Sequence, residues 1–143
     1  AVAVLRALWK DGPQTFAGKH YRFAALESNP KPVQKPGVPI VVGGHSELAA
    51  KRAARYGDGF FPAVAEPAQL EALLRTMRAE CAKVGRSADQ IEITAGVGFT
   101  DLEQAKRYRD LGVARLGIAP PAFDAEGLRA GLGDFADRVI AKL

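Results

Sequence analysis

The sequence predicts an α/β protein made of parallel βα units, and three observations carry that prediction. Short apolar runs rich in β-branched residues alternate with longer stretches of helical period, and the alternation repeats four times from Val38 onward. Glycines close the helical stretches, and polar or acidic residues open them. Right-handed crossovers would lay such strands side by side in one curved sheet. Four units are half the number that close an eight-stranded barrel.

Residues 1–10 read as a helix end, with Leu5, Leu8 and Trp9 at helical spacing and Asp11-Gly12-Pro13 as its stop. Thr15 to Phe23 forms two short extended pieces around a Gly18-Lys19 turn, a small hairpin in which His20 is structural. Pro30, Pro32, Pro36 and Pro39 then force an extended connector. The first core strand is 38–42, followed by a helix over 46–56 that Gly57 can cap in the left-handed conformation. Asp58 follows as a residue that caps or orients the next strand. Gly59 to Ala63 is a second, buried strand, and Glu66-Pro67 opens a long helix ended by Gly85. Leu70, Leu73, Leu74, Met77, Cys81 and Val84 fall on one face of that helix, so Cys81 is read as a small buried hydrophobe.

In the third strand Ile91, Ile93, Ala95 and Val97 alternate with Glu92, Thr94, Gly96 and Gly98. Thr100 and Glu103 are spaced as a capping box for the next helix, which Gly112 closes. Val113 to Ala119 is a fourth strand, stopped by Pro120-Pro121. From Asp124 the tail reads as two short helices, the second turning Phe135, Val139, Ile140 and Leu143 inward. Nothing divides the chain, so 1–143 is taken as one partial-barrel domain: 1–37 helix end, hairpin and connector, 38–143 the four βα units.

Composition excludes several classes of function. With 48% apolar and 25% charged residues among 143, the chain has the material for a packed core. No apolar run approaches the roughly 20 residues of a membrane span, and one cysteine rules out an intrachain disulfide framework or a cysteine-rich zinc site. A cytoplasmic location is expected, with no metal. The net charge of +4 divides unevenly: nine Lys/Arg face three Asp/Glu through Gly57, giving +6, and eleven face thirteen from Asp58, giving −2. There is no basic run and no ladder of stacking aromatics, so nucleic acid is not expected as a partner. The positive half suits an anionic cofactor.

That half contains the stretch on which a function can be hung. The strand ends in Gly43-Gly44, then His45-Ser46, then an Ala/Leu/Arg-rich helix. Glycines there let a ligand lie on the backbone, and the helix start offers free N–H groups, the elements of a phosphate pocket. Ser46 is both a helix N-cap and a hydroxyl donor, and His45 stands at a strand's C-terminal end, where an imidazole can act on a ligand. The other places to which the topology directs ligands are Ala63 to Glu66, Gly98 to Asp101 and Ala119 to Ala122. Walker, His-Glu-x-x-His and Gly-x-Ser-x-Gly patterns are absent from the sequence.

Gly43-Gly44-His45-Ser46 with the run that follows, through Tyr56-Gly57-Asp58-Gly59-Phe60-Phe61-Pro62, resembles the corresponding segment of the luciferase-like monooxygenase family, flavin- and deazaflavin-dependent TIM-barrel oxidoreductases. Gly18-Lys19-His20-Tyr21-Arg22-Phe23 and Pro30-Lys31-Pro32-Val33-Gln34-Lys35-Pro36 match the family's approach to it. A full barrel takes about 250 residues, so the resemblance implies the C-terminal half of a TIM (β/α)8 barrel. The start, Ala1 to Trp9, reads as mid-helix, as in a truncated chain.

The resemblance implies an oxidoreductase whose cofactor is FMN or a deazaflavin, with Gly43, Gly44, His45 and Ser46 as cofactor-binding residues on its ribityl-phosphate side. No catalytic residue is assigned, and the substrate is an unspecified organic molecule. Some deazaflavin-dependent relatives place a hydroxyl and a basic residue after the second strand, where this chain has Ala63-Val64-Ala65-Glu66. Two alternatives stand beside this reading: a non-catalytic module that binds a phosphate or nucleotide, and a purely structural half barrel. Its open edges call for a homodimer or a missing N-terminal half.

Overall fold

The computed structural model describes residues 1–143 except Ala63, Ala65 and Phe99. It divides into two compact units, Ala1–Pro39 and Ile40–Leu143. In the first, helix α1 (Val2–Leu8) precedes an antiparallel hairpin of β1 (Gln14–Ala17) and β2 (Arg22–Leu26). The hairpin is the one expected from sequence, and His20 sits exposed in its turn. Phe16 and Phe23 stack across it at 5.8 Å between ring centroids. Lys35 ties the connector back to Asp11 at 3.2 Å.

The second unit is a four-stranded parallel sheet in the order β3 (Val41–Gly43), β4 (Gly59–Phe61), β5 (Glu92–Val97), β6 (Arg115–Ile118). Each strand leads into a helix: α2 (Glu47–Tyr56), α3 (Pro67–Lys83), α4 (Leu102–Asp110) and α5 (Ala125–Arg138). Sequential strand order is that of a barrel wall. Val42, Phe60, Ile93 and then Ala95 with Leu116, Val97 with Ile118 occupy matching registers. All belong to the clusters in which the helices are packed, so the helices lie on one face of the sheet.

The other face carries Val41 and Phe61, 54% and 41% exposed, with Thr94, Gly96 and Gly117 between them and the far edge. An exposed pair, Arg115 and Glu92, is bridged there at 3.0 Å; such a pair contributes at most about 1 kcal/mol.

Packing against the sheet follows the helical period. Leu70, Leu73, Leu74, Met77 and Cys81 are buried along α3 as expected, each large apolar side chain contributing about 1.5–3 kcal/mol. Val84 is not: it lies past the last turn and is 46% exposed. Glu80 is buried on the same helix and accepts from Arg55 Nε of α2 at 2.6 Å. The four small residues Ala49, Ala50, Ala53 and Ala54 let α2 sit close enough for that reach.

Several local expectations are corrected by the structure. The first core strand is 41–43 instead of 38–42, since Ile40 is engaged by Asp58. Asp58 Oδ2 accepts from Ile40 N at 2.8 Å, while Asp58 N and Gly59 N donate to Ile40 O, which is the orienting role expected of it. Gly57 is extended, φ −84°, not left-handed. Its smallness is what is needed, because a β-carbon would stand 2.8 Å from Gly59 O and 3.1 Å from Ala53 O.

In β4 Gly59 and Phe60 are buried; Phe61 faces the open side, and Ala63, the end of the expected strand, lies outside the described residues. Helix α4 is capped one residue later than expected, by Asp101 accepting from Gln104 N at 2.8 Å. Thr100 is buried and donates to Gln104 Oε1. The tail is one 14-residue helix followed by a short 3-10 turn, Ile140–Lys142. Glycines 131 and 133 weaken that helix without breaking it. Phe135 and Val139 are buried, whereas Ile140 and Leu143 are 60% and 50% exposed. Among the described residues no helix is long and apolar enough to cross a membrane.

Candidate functional site

The Gly43-Gly44-His45-Ser46 turn stands at the C-terminal end of β3 and the head of α2. Gly43 is the last residue of β3, in register with Phe61. A β-carbon on it would find its nearest neighbour, Phe61 O, at 3.9 Å, so space is open above the backbone. Gly44 is different. Its φ is +123°, and a β-carbon there would stand 2.9 Å from Ala49 Cβ on the buried side of α2. Its N–H donates to Phe61 O at 3.3 Å, which fixes the turn to the neighbouring strand.

His45 and Ser46 are both exposed. Ser46 is the N-cap: its Oγ accepts from Ala49 N at 3.2 Å, and its backbone is extended as a cap requires. The Ser46 hydroxyl proton is still available to a ligand. The N–H groups of Glu47 and Leu48 precede the first intrahelical bond, Ala50 N to Ser46 O, and so have no acceptor within the helix.

The remaining helices of the sheet start differently. Glu66, Asp101 and Asp124 stand at the N-cap positions of α3, α4 and α5, and in the last two the carboxylate accepts from the backbone N–H three residues on. Only α2 has an uncharged cap. Its first-turn acid, Glu47, pairs along the helix with Lys51 at 3.6 Å. An anion therefore meets the least repulsion at α2.

Of the other expected ligand positions, Gly98 and Thr100 to Asp101 follow β5 and Ala119 to Ala122 follow β6, at the same end of the sheet as the turn. Ala63, Ala65 and Phe99 within those stretches lie outside the described residues. Cavities lined by described residues also occur elsewhere. One of about 350 Å³ lies outside edge strand β6 under Phe135 and Val139. Another of about 460 Å³ lies at the opposite end of the strands, near Asp58 and Glu92. Among the described residues no group of three or more His, Cys, Asp or Glu is placed to hold a metal.

One site feature escaped the sequence reading. Phe61 lies over Gly96 of β5, ring carbons 3.1 and 3.3 Å from where a β-carbon would stand. The signal was present in the two-residue alternation, which puts Phe60 and Phe61 on opposite faces.

Comparison with known proteins decides the family. The luciferase-like monooxygenase profile matches residues 1–124. The chain belongs to this family. An uncharacterized protein of Mycobacterium tuberculosis is 30% identical over 151 residues, which cover 99% of this chain and 51% of that protein. An F420-dependent glucose-6-phosphate dehydrogenase of Nocardia farcinica is 34% identical over 94 residues, 64% of this chain and 27% of its own. An F420-dependent secondary alcohol dehydrogenase of known structure superposes with a TM-score of 0.78 at 18% identity, covering 98% of this chain and 59% of the dehydrogenase.

At that identity the likeness speaks to fold alone, and the fold is the expected one, half of a TIM barrel. This luciferase-like chain spans about half the length of the first curated relatives it matches. Its family includes F420-dependent and FMNH2-dependent oxidoreductases.

Proposed function

We propose that this chain is the C-terminal, cofactor-phosphate-binding part of a flavin- or deazaflavin-dependent oxidoreductase. The observation that carries the reading is Gly44: a residue at φ +123° pressed to 2.9 Å of Ala49 that turns β3 into the one helix of the sheet with an uncharged cap. The residues fit a phosphate. Gly43 leaves its upper side clear, Glu47 and Leu48 offer backbone N–H groups, and Ser46 offers a hydroxyl proton. His45, exposed on the same turn, adds a donor at the rim. The names of relatives support both cofactors, F420 in the glucose-6-phosphate dehydrogenase and reduced FMN in the Pseudomonas putida dimethylsulfone monooxygenase.

When bound, such a cofactor supplies the redox step, its ring taking up or giving back a hydride equivalent. The chain's residues bind and orient it. The substrate is a small organic molecule, and the chemistry belongs in the cytoplasm. The open ladders of edge strands β3 and β6, and an inner face with Val41 and Phe61 exposed, support pairing with a second copy or with an N-terminal half. Light scattering of the purified chain measures which, and a monomer at all concentrations would count against self-pairing.

The site is tested by fluorescence titration with FMN, a deazaflavin cofactor and riboflavin, which lacks the phosphate. FMN binding tighter than riboflavin binding is expected, and Ser46→Ala should remove roughly tenfold of the FMN affinity, the worth of one hydrogen bond to a charged group. Equal binding of FMN and riboflavin, untouched by Ser46→Ala, would defeat the phosphate reading.

A further inference from the structure

We infer that the tip of the β1–β2 hairpin, Lys19-His20-Tyr21-Arg22, is a docking point for a partner protein, which takes hold of it with an acidic segment. The inference is independent of the cofactor reading, since none of these residues belongs to the turn of Gly43 to Ser46. Charge is divided unequally between the two units of the chain. Over Ala1–Pro39 six Lys/Arg face two Asp/Glu, giving +4, and over Ile40–Leu143 fourteen face fourteen, giving zero. The whole net charge of the chain therefore sits on its smaller unit.

Within that unit the cations differ in what they do. Lys35 pairs with Asp11 at 3.2 Å, and Lys31 donates to Leu8 O at 3.1 Å. Lys19 and Arg22 are exposed and have no side-chain partner among the described residues. The tip that carries them is held in one shape. Gly18 N donates to Tyr21 O at 2.8 Å, and Ala17 and Arg22 are cross-strand neighbours next to the stacked Phe16 and Phe23. A Phe16 ring carbon stands 2.7 Å from where a β-carbon on Gly18 would be, so the turn folds down onto that stack. A loop ordered in advance loses little entropy on being bound.

All four tip residues are exposed, Tyr21 by 53%. A tip open on every side encloses no small anion, whose sites are concave, so the concavity and the negative charge come from the partner. Arg and Tyr are side chains that anchor protein interfaces, and a guanidinium grips a carboxylate with two parallel hydrogen bonds. One aromatic is no stacking ladder for a nucleic acid strand. Two bases are fewer than the roughly four to eight that draw a segment to anionic lipid.

The full chain is titrated into a labelled oligo-glutamate peptide, read by fluorescence anisotropy, with an oligonucleotide and phosphatidylserine vesicles tested alongside. Lys19→Glu/Arg22→Glu is compared with Arg129→Glu/Lys142→Glu, which makes the same change of net charge on exposed residues of the larger unit. Circular dichroism checks that both fold. The tip pair should weaken the peptide roughly tenfold or more, because two attractions become repulsions, and the control pair by roughly twofold at most. Arg22→Lys, which keeps the charge and loses the planar fork, should weaken it roughly two- to fivefold.

Equal losses from the two charge-reversed pairs would reduce the effect to net charge and overturn the docking point. Tighter binding of the oligonucleotide or of the vesicles than of the peptide at one ionic strength would overturn the protein as partner. A folded parent chain that binds none of the three overturns the inference outright.

Discussion

Gly43 and Gly44 are adjacent in sequence, and the structure assigns them opposite sensitivities. An alanine at 44 meets two costs. Its φ of +123° lies in a region that side-chain-bearing residues hold at about 1–3 kcal/mol of strain. Its methyl would also press on Ala49 Cβ at 2.9 Å in a packed core, an overpacking of about 1–3 kcal/mol. Together Gly44→Ala should destabilise by about 2–6 kcal/mol, which at a urea slope of about 2 kcal/mol/M lowers the midpoint by roughly 1–3 M. Gly43→Ala meets nothing nearer than 3.9 Å and should stay within about 0.5 kcal/mol of the parent. It should nevertheless weaken FMN, because its methyl occupies the space above the backbone. Urea unfolding followed by circular dichroism, with FMN titration of each folded variant, makes the comparison. A Gly44→Ala midpoint equal to the parent's would refute the account of the turn.

Leu74→Ala, at a fully buried position of α3, should cost about 2–5 kcal/mol, whereas Val84→Ala past the end of the same helix should be nearly silent, both read by urea midpoint. Asp58→Ala removes the acceptor of Ile40 N and should cost about 1–3 kcal/mol by the same assay. Burial raises the Cys81 thiol above its ordinary 9.0 and the Tyr108 phenol above its ordinary 10.0, Glu66 adding to the second. Raised acids hold their protons longer when folded. Their stabilisation is therefore full below the unfolded values and is lost as pH rises through the folded ones, so thermal midpoints should fall progressively above about pH 9. Cys81 should react with a thiol reagent only as fast as the chain opens; rapid labelling of the native protein would contradict its burial.

The strand and helix succession was legible because its signals are local. Alternation in β5, the apolar face of α3 as far as Cys81 and the Ser46 cap each depend on neighbours within a turn or two, and each is found where the pattern put it. What was misread depends on distant partners. Gly57 looked like a left-handed terminator, but the atoms that forbid a side chain there include Val42 Cγ2, fifteen residues earlier. Glu80 drew no reading from the sequence, because what buries it is Arg55 arriving from α2, twenty-five residues earlier. At 100 and 101 two residues competed for one cap, and the carboxylate took it, leaving Thr100 buried against Gln104. The turn itself was legible as glycines before a cap; the ring beside it was not, because the packing of Phe61 on Gly96 spans thirty-five positions.

The glycines near the site separate by what enforces them. Gly44 is fixed by its backbone angle and Gly57 by backbone oxygens that would collide with a β-carbon, while Gly96 lies in close contact with the Phe61 ring, 3.1 and 3.3 Å from where a β-carbon would stand. For Gly43 and Gly117 neither reason holds: the nearest atom stands at 3.9 Å in each case, and no positive φ is involved. Glycine inside a strand costs about 0.5–1 kcal/mol relative to alanine, so the fold alone would be better served by a methyl at both. They lie on the exposed face of the sheet, on its two edge strands, either side of Phe61 and Gly96. A stability cost with no internal cause is what close approach of something outside the chain produces. Alanine at 117 should accordingly leave the urea midpoint unchanged or raise it. A lowered midpoint would mean that a neighbour within the chain, and not something outside it, enforces the glycine.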